Sequence, residues 1–99
     1  MPVYVIAQIK FTDESLYRRY QARFADVFRQ FKGRLLAADE SPIVIEGEWL
    51  RDKVVVMQFA DEAEARSFLD SPAYLEISKD RIAGSDVVAL LVNGLPQPA

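Results

Sequence analysis

Two glutamates, Glu46 and Glu48, flank Gly47 and stand next to the only tryptophan of the chain, Trp49. On an extended backbone, residues two apart share a face, which is what a pair of catalytic carboxylates needs. Gly47 and the charged segment Leu50-Arg51-Asp52-Lys53 argue for a bend instead, so the two side chains are expected to have separate roles. Glu46 closes the apolar run Ile43-Val44-Ile45 and is a candidate pocket or ligand residue paired with Arg34 or Arg81; a structural ion pair is the plainer alternative. Glu48 is expected to be solvated. Trp49 has three readings: a lid over a cavity, packing under a hairpin, or a subunit-interface anchor, and the enrichment of Trp at interfaces puts the anchor first.

Other polar groups interrupt apolar patterns. Tyr17, Tyr20 and Tyr74 fall on apolar helical faces, where core packing with the hydroxyl on a polar partner is the usual fate and acid/base chemistry the rarer one. Gln8 and Gln58 each break an apolar strand face. If their strands are parallel neighbours, the two amides lie together, where they would hold a small polar ligand or a water, or bond each other.

Composition removes several chemistries. Neither histidine nor cysteine occurs in the 99 residues, which excludes disulfides, thiolate nucleophiles, Cys/His zinc sites, histidine-ligated haem and a serine triad. No metal and no cofactor are expected, although carboxylate-only Mg²⁺ or Ca²⁺ sites need neither residue. A net charge of −3 gives no basic footprint for nucleic acid, and the arginines from Arg18 to Arg29 follow Asp13 and Glu14 along one helix as a solvated face. No apolar run approaches the roughly 20 residues of a membrane span, and no signal-peptide pattern opens the chain, so a cytoplasmic location is the default.

The elements that must position these residues follow from periodicity. Val3 to Phe11 alternates as a strand, with Val3, Val5, Ala7 and Ile9 on one face and Tyr4, Ile6, Gln8 and Lys10 on the other. A first helix, capped by Thr12 or Asp13, carries Leu16, Tyr20, Phe24, Val27, Phe28 and Phe31 inward and stops at Gly33. Leu35 to Ala38 and Ile43 to Ile45 read as one interrupted strand or two short ones, and Val54 to Phe59 as the next, joined by a hairpin. Asp61 with Glu64 opens a second helix, Ser71-Pro72 restarts it, Gly84 ends it, and Val87 to Val92 is the last strand. The order is βαββαβ, a ferredoxin-like α+β fold in one domain over residues 1–95, with a tail at 96–99. Right-handed crossovers are expected to put the first and third strands side by side and parallel, with both helices on one face. The other face then keeps Tyr4, Ile6, Val54 and Val56, a patch that predicts a homodimer.

Tyr17 and Tyr20, Gly33-Arg34, Glu46-Gly47 with Trp49, and Ser71-Pro72 with Tyr74 and Arg81 occur in an order that resembles the domain of unknown function 1330 family, a branch of the dimeric α+β barrels. The resemblance covers about the whole domain. It implies two sheets, one per subunit, facing each other as a barrel. From the residues themselves, the candidate pocket or ligand-binding set is Gln8, Tyr20, Arg34, Glu46, Trp49, Gln58, Tyr74 and Arg81. Members commonly carry an acidic residue just before the phenylalanine that ends the third strand, where this chain has Gln58, whose amide neither takes nor gives a proton. The expected function is a homodimeric binding or structural module with a small-molecule cavity between the sheets. The alternative is a cofactor-independent enzyme, oxygenase- or isomerase-like, acting on a small organic substrate in the barrel.

Overall fold

A computed structural model describes residues 1–96. Seven elements follow one another: β1 (Val3–Phe11), α1 (Glu14–Phe28), β2 (Arg34–Asp39), β3 (Lys53–Phe59), α2 (Glu62–Leu69), α3 (Pro72–Gly84) and β4 (Ser85–Asn93). The local signals explain most boundaries. Asp13 and Asp61 accept hydrogen bonds from the amides of Leu16 and Glu64 as N-caps of α1 and α2, and Ser71 caps α3 with Pro72 at its first turn. Helix α1 stops at Phe28 rather than running on towards Gly33. Residues 29–31 continue as turns, with the Phe31 amide donating to the Phe28 carbonyl at 3.0 Å.

Strand order is β2-β3-β1-β4, and every neighbouring pair is antiparallel. The parallel pairing of the first and third strands expected from the sequence is therefore corrected. The return from β2 reverses the chain, so β3 enters between β1 and β2 running against both. This register also separates the two glutamines: Gln8 lies opposite Val54, whereas Gln58 lies opposite Tyr4, at the other end of the pair.

The alternation is kept, so each strand has one face under the helices. Val3, Val5, Ile9, Met57 and Phe59 are buried there against Phe68, Ala65 and Ile77. Phe68 sits inside an aromatic cluster, with its ring centroid 4.4 Å from Tyr74, 5.1 Å from Phe28 and 5.4 Å from Phe31. Gly84 is required by close approach: a Cβ there would lie 2.7 Å from the Asp13 carbonyl oxygen and from the Tyr17 nitrogen. Its own carbonyl accepts from the Thr12 and Asp13 amides, locking the end of α3 to the start of α1.

The opposite face is uncovered. Tyr4, Ile6, Val54 and Val56 are half-buried by their neighbours, and β4 adds Val88, Leu90 and Val92, which are exposed. The apolar run Ile43 to Ile45 forms no strand; residues 42–45 have no regular structure, and Ile43 and Ile45 are among the most exposed side chains. Pro42 offers no amide for a ladder, and Asp39 turns the chain by accepting from the Ser41 amide at 2.8 Å. Among the described residues no helix is long and apolar enough to cross a membrane. The tail expected at 96–99 lies, apart from Pro96, outside the described residues.

Candidate functional site

A cavity of about 440 Å³ opens between the helix-facing side of the sheet and helices α1 and α3. It lies on the side of the sheet opposite the uncovered face, so this space is within one protomer. Small side chains explain it. Ala7 on β1, Ala38 on β2, Ala89 on β4 and Ala25 on α1 line the cavity where larger residues would fill it, while Val5, Val55, Met57 and Phe24 keep its walls apolar.

Its polar groups come from three elements. From α1 comes Tyr20 and from α3 Tyr74, both buried, with their hydroxyls 3.1 Å apart. The Arg81 guanidinium, also on α3, lies 5.9 Å from the centroid of each of those rings, and its buried Nε has no hydrogen-bond partner. From β3 comes Lys53, which is only 4% exposed. Its Nζ is 5.0 Å from the Tyr17 ring centroid, 3.5 Å from Gln21 Oε1 and 3.8 Å from Glu40 Oε2. Glu40 is held by Arg18, whose guanidinium donates to both carboxylate oxygens at 2.6 and 2.7 Å.

Burial sets the protonation states. It pushes the Lys53 ammonium below its ordinary range, with the Glu40 carboxylate opposing, and raises the Tyr17 phenol to about 12. Tyr20 is raised further, by burial first and by its tyrosine partner second. The hydrogen bond from Arg18 keeps the Glu40 carboxyl below the usual carboxylate range. Stability is expected to fall between pH 10 and about 12, because the unfolded chain there releases phenol protons that folded Tyr17 and Tyr20 retain. Lys53 acts in the opposite sense at pH below 10.5, where the unfolded chain binds the proton that the folded state holds less well. Phenolate absorbance followed with denaturation midpoints checks this: loss of the Tyr17 and Tyr20 phenol protons near pH 10 in the intact fold is the contrary result.

Of the residues singled out in the sequence, the structure brings Tyr20, Tyr74 and Arg81 together at the cavity. It does not bring Gln8, Arg34, Glu46, Trp49 or Gln58 there. Glu46 is exposed in the loop before β3, and it makes no ion pair with Arg34 or Arg81 among the described residues; that expected pairing is corrected. The next residue, Gly47, takes φ +85°, which turns the chain away from an extended path. Trp49 folds back over the uncovered face and its indole N–H donates to Gln8 Oε1 at 3.1 Å. Gln8 is thereby committed to Trp49, with Gln58 at the other end of the strands. In the sequence Lys53 reads as the end of a charged loop. The signal was its phase, two residues before Val55 and four before Met57, on the core face of β3.

A family model described as a domain of unknown function, DUF1330, matches residues 2–95. None of the curated proteins matches the chain. Among solved structures, a protein of unknown function from Rhodopseudomonas palustris is similar with a TM-score of 0.80 at 16% identity, over 97% of this chain and 84% of that one. SnoaB, a cofactor-independent oxygenase from Streptomyces nogalater, gives 0.69 at 16% identity over 97% and 95%. A dimeric ferredoxin-like protein of unknown function from a Jannaschia species gives 0.72 at 9% identity over 95% and 100%. At these identities the likeness is one of fold: a ferredoxin-like α+β sheet with its helices on one face.

Proposed function

This chain belongs to the DUF1330 family, and we propose that it acts as a homodimer in which each protomer binds a small organic molecule in the cavity between sheet and helices. The observation that carries the reading is the cavity itself. Its volume of about 440 Å³ falls in the range of small-ligand pockets, roughly 300 to 1,000 Å³, and it combines apolar walls with a few convergent polar groups, as such pockets do. The dimer rests on the uncovered apolar sheet face, and a ferredoxin-like neighbour is itself described as dimeric. In that arrangement Trp49, held on the same face by Gln8, lies where a partner sheet would pack.

A second reading, a cofactor-independent enzyme, is supported by the buried Tyr20–Tyr74 hydroxyl pair facing Arg81 and by the fold shared with an oxygenase of that kind. Buried phenols beside a cation are suited to passing or holding a proton on a bound substrate.

Met57 provides the test, since it lines the cavity, while Met1, the only other methionine, is 70% exposed. In methionine-methyl NMR, a set of one- and two-ring organic fragments is expected to shift the Met57 signal and leave that of Met1 in place. Native mass spectrometry should show two chains. A Met57 signal that no fragment moves would sink the binding reading.

A further inference from the structure

The polar groups of the cavity are nearly all donors. Its lining contains Lys53 and Arg81 and no Asp or Glu, although the chain as a whole carries a net charge of −3. The buried Arg81 Nε lacks an acceptor, and Arg81 forms no ion pair among the described residues. Lys53 is little better served. Its nearest carboxylate, Glu40, is already gripped at both oxygens by Arg18, and the oxygen of Gln21 that it approaches at 3.5 Å also accepts from Arg18 at 2.7 Å. Of the two phenols, one hydroxyl donates to the other, which leaves the pair one O–H still to give.

Buried donors and cations without acceptors are costly unless something supplies the acceptors. The lining holds no carboxylate, and its neutral acceptors, the Gln21 amide oxygen and the tyrosine hydroxyls, leave the Arg81 Nε–H without a partner. From this donor excess, and resting on the cavity-binding reading above, we infer that the cavity takes an organic anion: an apolar, ring-sized body against Val55, Met57 and Phe24, with its carboxylate or enolate oxygens on Arg81 and the Tyr20–Tyr74 pair and with Lys53 adding positive field. A cation would meet two like charges with no carboxylate in the lining, and a neutral amide isostere would offer Arg81 only an uncharged acceptor while adding N–H donors to a site already rich in them. The acidic surroundings do not oppose this, because a low-dielectric cleft lined with one sign of charge focuses that sign locally.

Titrating 2-naphthoate and its uncharged isostere 2-naphthamide against the Met57 methyl signal separates this inference from the reading beneath it. The acid is expected to bind roughly tenfold or more tightly than the amide, the size of one charge-assisted hydrogen bond. In Arg81→Met that preference should collapse, and Arg81→Lys should recover part of it. The comparison in the unaltered protein needs no variant to fold. Equal binding of acid and amide at Met57 overturns the anion inference and leaves the cavity reading standing. If neither probe moves Met57, or if they move only Met1, the cavity reading falls and the inference with it.

Discussion

Ile6→Glu and Val56→Glu are each expected to convert a dimer into monomers with a much lower unfolding midpoint. The two side chains lie opposite each other at the middle of the β1–β3 pair, on the face that no helix covers. Leu90 on β4 lies opposite Ile6 on the other side, so the three form an apolar strip across the sheet. At a two-fold interface one substitution places a carboxylate in the contact twice. An unpaired charge buried in such a strip costs several kcal/mol by order of magnitude, which exceeds what one apolar contact returns. Sedimentation velocity at micromolar concentration reads the assembly, and a denaturant midpoint that rises with protein concentration in the parent but not in the variants reads the linkage. A Val56→Glu protein that still sediments as the parent dimer would show that this face is not the interface.

The same strip shows how far the sequence could be read. Alternation in Val3 to Phe11 fixes which side of β1 is buried, because a strand has only two faces and one must meet the helices. Caps at Asp13, Asp61 and Ser71 mark the helices for an equally local reason. The direction of β3 differs from the parallel one expected because it depends on where a returning strand inserts, a non-local matter that no short window holds. Ile43 to Ile45 misled differently: three apolar residues satisfy a strand pattern, yet in the protomer they have no partner strand and stay exposed.

The site was legible only in part. Tyr20, Tyr74 and Arg81 could be found as polar groups on inward helical positions. The cavity they border could not, since empty space results from what four alanines on four separate elements fail to fill. Alanine is a poor strand residue, and its recurrence at Ala7, Ala38 and Ala89 on helix-facing strand positions was the available hint. Glu46 attracted attention by type and neighbours, but the bend at Gly47 decides where its chain goes, and the loop carries it away from both arginines considered for it.

Phe68→Ala is expected to destabilise the protein by about 3–5 kcal/mol, the usual cost of emptying a buried aromatic site. Phe68 is fully buried and its ring meets those of Phe24, Phe28, Phe31, Phe59 and Tyr74, so no single neighbour can relax into the space without leaving the others. Against the roughly 5–15 kcal/mol that holds a typical domain folded, this is a large share. The consequence reaches the cavity, because Tyr74 packs on Phe68 at 4.4 Å and its hydroxyl holds that of Tyr20. A loosened Tyr74 should therefore broaden the Met57 methyl signal and weaken whatever the cavity binds, whereas Phe68→Leu, which keeps most of the volume, should lose much less of both. Urea denaturation measures the first effect and the methyl spectrum the second. A Phe68→Ala protein within about 1 kcal/mol of the parent would mean that the aromatic cluster is not what holds α2 and α3 on the sheet, since surface changes alone stay near that scale.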